Sequence, residues 1–380
     1  MRKISKKIIG ICLLIFFLLV SLGDLRNLIG PLNYWILWGA FSLTGFIFSE
    51  RKIIKRRYIF SFIFLSMGFF ISGYWNDDLQ TLYQAGKLLI CGLLSLCILS
   101  VLSNADEDDF LRGIKISLLG TLIIFLCSKY IFVDWLLTLG DGRQGFFISY
   151  PGVMWKIGAF GFVYFLCMMV YEKKKWDFIF LIFSAMLVTI DGSRTGFLIL
   201  MVSMILVFGD IYRKNMLKYS AWLIFILPLI FFVLAILELN SIEILAVDRL
   251  SAGDSQRVRM LLTALSLSQE CFPIGCGFGA AVAESDEVVE GFMVIHNGYF
   301  DALIDGGVIA FLGFTLLTIG LVSRRMGKIC DGLSMFSFVG VISFSLIMMF
   351  HPMSTEMSEW AWLIIVAGAM YIHRLKKMYV

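Results

Sequence analysis

Twelve apolar runs recur along the chain, at 8–22, 30–49, 58–74, 86–102, 114–131, 153–171, 178–192, 196–209, 219–237, 298–320, 333–350 and 359–373. A helix needs roughly 20 mainly apolar residues to cross the hydrocarbon of a bilayer. In lipid every backbone amide must be paired within the chain, so runs of this length and number resolve as helices. Composition agrees: 59% of the 380 residues are hydrophobic and 16% are charged, with a mean hydropathy of +0.88. Soluble domains are about 25% charged, so an ordinary water-soluble fold is excluded. The expectation is an all-α, polytopic integral membrane protein with about 12 transmembrane helices forming one transmembrane domain over 1–380. A net charge of +4 gives no footprint for nucleic acid.

The basic residues set the orientation. Arg2/Lys3/Lys6/Lys7, Arg51 to Arg57, Arg112/Lys115, Lys173–Lys175, Arg213/Lys214/Lys218, Arg324/Arg325/Lys328 and Arg374/Lys376/Lys377 all fall on one side of an alternating twelve-span chain. By the positive-inside rule this side is cytoplasmic, with both termini inside. The first run reads as a signal anchor rather than a cleaved signal peptide, because another span follows within ten residues. One outer segment, 238–297, is far longer than the rest, and insertions of that size in compact proteins are usually functional. Within it, apolar residues at helical spacing over 256–270 predict an amphipathic helix lying on the membrane surface. Most cysteines sit in apolar runs as packing residues. Cys271 and Cys276 share the outer loop and could pair if that loop faces an oxidising space, although their short separation would close a tight ring and weighs toward free thiols.

Three histidines occur. His373 lies beside Arg374 and Lys376 and reads as a solvated flank. His351 precedes Pro352 near Glu356 and Glu359, where a helix-end role outweighs a catalytic one. His296 differs: it stands in His296-Asn297-Gly298-Tyr299-Phe300-Asp301, where the long loop re-enters the membrane. There a histidine can act as a general base or donate to phosphate. Asp301 and Asp305 follow one helical turn apart, and ionisable groups in a span need a partner or a task. Pairing to buried arginines and a direct role in binding weigh equally. Gly306-Gly307 lets a neighbour approach closely.

Arginines make a second group. Arg194 stands in Asp191-Gly192-Ser193-Arg194-Thr195-Gly196, either as a tight turn closed by an Asp191–Arg194 pair or as a cluster of phosphate donors at a helix start. Arg143 lies in an outer loop before Tyr150-Pro151-Gly152, and Arg257 and Arg259 open the surface helix. Pro273-Ile274-Gly275-Cys276-Gly277-Phe278-Gly279 follows no strand and lacks the Lys-Ser/Thr of a phosphate loop, so a tight reversal is expected rather than nucleotide binding. Forked guanidinium donors match pyrophosphate oxygens, and a lipid pyrophosphate would explain why an enzyme should be this apolar. No Asp-rich pair with metal spacing stands out on the outer face, so a metal or other cofactor is not implied.

These pieces in order, with Gln256-Arg257, Ala264-Leu265 and Gly306-Gly307-Val308-Ile309, resemble the O-antigen polymerase (Wzy-type) and O-antigen ligase superfamily of bacterial lipopolysaccharide biosynthesis. The likeness covers most of the second half; the first half resembles the family in topology only. It implies a GT-C-like helical fold in the bacterial inner membrane, with the active site facing the periplasm. The implied activity is metal-independent glycosyl transfer from an undecaprenyl-pyrophosphate-linked oligosaccharide. The family's arginines map to Arg194 and Arg257, with Arg259 as the alternative, and its histidine to His296. Arg143, Arg259, Asp191, Ser193, Asn297 and Asp301 complete the implied substrate-binding set. Met260-Leu261 stands where the family has a tryptophan. A polymerase is the first expectation and a ligase acting on lipid A core the second, with a chain-length regulator as a candidate partner. A twelve-span transporter or flippase would place its ionisable residues near mid-membrane, whereas here they cluster at the outer border.

Overall fold

The computed structural model describes residues 2–23, 25–52, 56–138, 144–146, 154–212, 260, 262–284, 292–322 and 331–378. Eleven of the twelve apolar runs are helical where described; the remaining one, 219–237, lies outside the described residues, as do 238–259 and 285–291. The helices are α1 (Arg2–Leu22), the short α2 (Arg26–Ile29), α3 (Pro31–Phe48), α4 (Arg56–Trp75), α5 (Leu79–Ser103), α6 (Glu107–Tyr130), α7 (Met154–Tyr171), α8 (Asp177–Asp191), α9 (Arg194–Tyr212), α10 (Gly298–Val322), α11 (Gly332–Phe350) and α12 (Met357–Met378). Among the described residues six are long and apolar enough to cross a membrane, namely α4, α5, α6, α7, α10 over Gly298–Thr318, and α11. The chain is thus an all-α polytopic membrane protein, to which the structure adds two small antiparallel hairpins. Leu136–Thr138 (β1) pairs with Gln144–Phe146 (β2), and Val282–Glu284 (β3) with Phe292–Val294 (β4).

Burial sorts the helices. Every residue of α7 from Met154 to Met168 and of α11 from Gly332 to Met348 is buried, as expected of helices that are apolar all round and enclosed by others. Outer helices keep large apolar side chains exposed, such as Ile36 and Ile47 on α3, Phe60 and Phe70 on α4 and Met201 and Ile205 on α9, a surface that suits lipid and not water. Between lipid-facing helices packing depends on close backbone approach. A Cβ at Gly68 of α4 would lie 2.3 Å from the Ala310 nitrogen of α10, so these helices meet nearly backbone to backbone. Hydroxyls join others: Ser117 and Thr121 of α6 donate to the Phe17 and Ser21 carbonyls of α1 at 2.7 and 2.9 Å.

Alternation of the helices gathers the described parts of the connections, at 25–30, 76–78, 131–138, 144–146, 192–193, 271–284, 292–297 and 351–356, at one end of the bundle, hereafter the loop end. The described lysine- and arginine-rich connections lie at the other, the basic end.

Candidate functional site

The loop end is organised around a break in α10. Gly307 has φ +72° and ψ −172°, a conformation only glycine adopts readily, and the helix resumes beyond it. Its lost hydrogen bonds are made by the Pro273–Gly279 loop. Cys276 N donates to Ile304 O at 2.7 Å, Gly277 N to Asp305 O at 3.1 Å, and Val308 N to Pro273 O at 2.9 Å. The Asp305 carboxylate accepts from Gly279 N at 3.1 Å and Ala281 N at 3.0 Å. Ser72 of α4 donates to Asp305 O at 2.7 Å and accepts from Gly277 N at 3.0 Å. The glycine-rich segment is therefore a tight reversal, as expected, docked into a broken helix. Nearby, Thr81 donates to Asp78 ahead of α5, and that bond holds the Asp78 carboxyl below the usual carboxylate value.

Of the two readings for Cys271 and Cys276, the less favoured one holds: they form a disulfide. Gly275 N donates to Cys271 O at 2.7 Å, closing a turn that brings the two Cα atoms to 5.1 Å, within the ordinary range for a bridge. Of the predicted surface helix, 262–270 is helical. Its Ala264, with Met260 just before it, is buried together with Cys271, Ala281, Ala283, Ile295 and Ile304, so it packs on the second hairpin and α10.

His296 is exposed and begins the turn into α10. Asn297 Oδ1 caps that helix, accepting from Tyr299 N at 3.0 Å and Phe300 N at 3.2 Å, the usual work of an N-cap asparagine. The turn is seated on the segment between α11 and α12: a Cβ at Gly298 would lie 3.2 Å from Met353 N and 3.3 Å from His351 O. Asp301 fixes this seat, its Oδ2 accepting from Met353 N at 2.8 Å. Among the described residues Asp301 and Asp305 make no ion pair with arginine. Backbone amides take that place, because the loops that supply them fold back onto the start of α10.

Below the His296 turn lies a group that sequence reasoning did not assign. Lys156, on the first turn of α7 and 2% exposed, donates to both Glu359 oxygens at 2.7 and 2.6 Å. Its Nζ is 3.3 Å from His351 Nε2. An ammonium only donates, so Nε2 accepts, and the His351 proton sits on Nδ1, 3.1 Å from Pro352 O. Burial, then the Lys156 charge, pushes the His351 pKa down to about 4. His351 is therefore a neutral imidazole. A second ion group stands alongside: Glu356 accepts from Arg26 at 2.6 Å and from Lys87. Thr355 donates to Gln84 at 2.7 Å, and Ser358 N donates to the Tyr34 hydroxyl at 3.1 Å. A lone lysine in the apolar run 153–171 was the available signal, since such a charge requires a partner.

The Arg194 turn reaches the same place. Asp191 is buried and accepts from Trp155 N at 3.0 Å, one residue before Lys156. Ser193 Oγ accepts from Gly196 N at 3.1 Å and caps α9. Arg194 itself is exposed and makes no ion pair among the described residues. Of the two readings of this turn, the Asp191–Arg194 pair is not made: the aspartate is turned inward and the arginine is exposed at a helix N-terminus. The start of α7 thus touches the Arg194 turn through Trp155 and the His351 segment under His296 through Lys156. Arg143, Arg257 and Arg259 lie outside the described residues.

Residues 178–315 match the family model described as O-antigen ligase. That stretch contains Arg194 and His296 through Asp305, and its likeness to the O-antigen ligase family supports a membrane protein of ligase- or polymerase-like, glycosyltransferase-type function. Lys156, His351, Glu356 and Glu359 fall outside the matched region. No curated protein and no solved structure matches the chain.

Proposed function

We propose that the chain is a surface-polysaccharide polymerase. It transfers a growing glycan from undecaprenyl pyrophosphate to a sugar hydroxyl of a lipid-linked repeat unit, at the periplasmic face of the inner membrane. The observation that carries the reading is the convergence on the start of α7. An exposed arginine that makes no ion pair among the described residues and an exposed histidine stand at one end of the bundle, the turn of the first held by Trp155 and the segment that seats the turn of the second held by Lys156. The disulfide between Cys271 and Cys276 supports an oxidising surrounding for that end, and the basic connections opposite support the same sidedness.

His296 accepts the proton of the acceptor hydroxyl as its oxygen bonds to the anomeric carbon of the donor sugar. The bond from that carbon to the pyrophosphate oxygen breaks, and the lipid pyrophosphate leaves. Arg194, with Arg257 or Arg259 and with Arg143, meets the charge that develops on the leaving group, a role guanidinium performs bidentately. No metal is needed in this scheme. His351 is held neutral, so it places no second positive charge beneath His296.

Transfer to lipid A core is a second reading, favoured by the description of the matching family. Deleting the gene distinguishes the two. A core bearing a single repeat unit supports the polymerase. Bare core with lipid-linked polymer accumulating supports the ligase, and an unchanged polysaccharide ladder overturns both.

A further inference from the structure

At the basic end, far from the candidate site, a cavity of about 470 Å³ opens between α6 and the connection leading into α8. That volume lies within the range of small-ligand pockets, roughly 300–1,000 Å³. Lys115 of α6 and the consecutive Lys173, Lys174 and Lys175 line it, together with Trp176 and Asp177. Buried Asp177 engages Lys115 at 3.2 Å, and Lys174 reaches Glu107 at 3.4 Å. Lys173 and Lys175 make no ion pair among the described residues. Lys173 also has φ +55°, a backbone state that non-glycine residues rarely adopt, and it bends the chain so that three successive ammonium groups border one opening.

A row of lysines between spans is ordinarily a solvated flank. Here it is walled into a concavity, holds an excess of positive charge, and has an apolar rim. Trp176 is 81% exposed, and Phe178 and Ile179 on the next turn are exposed as well. Indole and aliphatic side chains at this level fit the interface between head groups and acyl chains. We propose that the cavity is a site for a phosphate-bearing head group, that of an anionic lipid in the surrounding leaflet. Lys173 and Lys175 contact the phosphate, and Trp176 lies along the glycerol and upper acyl region. The apolar rim favours a lipid over a soluble phosphate compound.

Native mass spectrometry of the purified chain, offered phosphatidylglycerol and phosphatidylcholine in equal amounts, tests this. Wild type should retain phosphatidylglycerol in preference, and Lys173→Ala with Lys175→Ala should lower its retention by roughly tenfold or more, the scale for two cations at a membrane surface. Lys52→Ala, which removes an exposed cation at the same end, should leave retention unchanged. Lys173→Arg with Lys175→Arg should keep it, which separates lost charge from lost folding. Equal retention by wild type and the double alanine variant overturns the proposal, and so does an equal loss with Lys52→Ala. Displacement of the bound lipid by inorganic pyrophosphate assigns the pocket to a soluble phosphate ligand and overturns the lipid assignment.

Discussion

Replacing Lys156 with methionine keeps the length and most of the volume of the side chain and removes its charge. What remains is Glu359, 16% exposed, deprived of both donated hydrogen bonds, and His351 Nε2 without its donor. Breaking a buried ion pair from one side costs about 3–5 kcal/mol, because the stranded charge keeps its desolvation penalty. The residual water access of Glu359 puts this pair at the lower end, about 3 kcal/mol. Glu359→Gln should cost a similar amount by stranding Lys156, which is more deeply buried. The double variant Lys156→Met/Glu359→Gln removes both charges and should recover most of the loss, since a buried pair is worth little against neutral replacements. A double-mutant cycle from reversible denaturant unfolding in detergent micelles measures the coupling directly. Single-variant losses below about 1 kcal/mol that simply add in the double variant would refute a buried, mutually dependent pair.

Other expectations follow from the same geometry. Gly307→Ala should collapse the docking of the Pro273–Gly279 loop, because its Cβ would stand 2.3 Å from Ile274 O at a φ of +72°; protease susceptibility of the loop should rise sharply, and an unchanged digestion pattern contradicts the break in α10. His351 has a folded-state pKa of about 4, below the ordinary imidazole value of about 6.5. Its contribution to stability is therefore complete above about pH 6.5 and is lost as pH falls toward 4, because only the unfolded chain takes up the proton in that window. The unfolding midpoint of wild type should fall between those pH values more steeply than that of His351→Gln, and parallel slopes would contradict a buried neutral imidazole. Cys271 and Cys276 should react with a membrane-impermeant maleimide on intact cells only after reduction; labelling without reductant contradicts the disulfide.

How much of this was legible in the sequence depends on whether a residue's partner is near in the chain. The spans were legible because hydropathy is local: α4 to α7, α10 and α11 occupy the runs that composition marks out. His296 and Arg194 stood out as polar residues at the ends of apolar runs. Lys156 did not, because its partner Glu359 lies 203 positions away and nothing in either neighbourhood names the other. Asp301 and Asp305 called for partners, and the partners turned out to be backbone amides, which every residue but proline carries and no sequence pattern displays. The disulfide stayed undecided in the sequence because the separation alone says nothing of the turn that closes it. Asn297 and Ser193 read as candidate ligands, while in the fold each has an oxygen occupied in capping a helix.

The central claim is that His296 and Arg194 perform glycan transfer from a lipid pyrophosphate. Its most direct measurement is the release of lipid pyrophosphate and the lengthening of glycan by the purified chain in liposomes supplied with lipid-linked repeat units. Wild type should elongate. His296→Ala should slow transfer by roughly 10²–10⁴-fold, the scale of general base catalysis. Arg194→Ala should slow it by about 10²–10³-fold, as loss of charge stabilisation does, with both variants folded as wild type. Elongation by either variant within a few-fold of wild type contradicts the assignment.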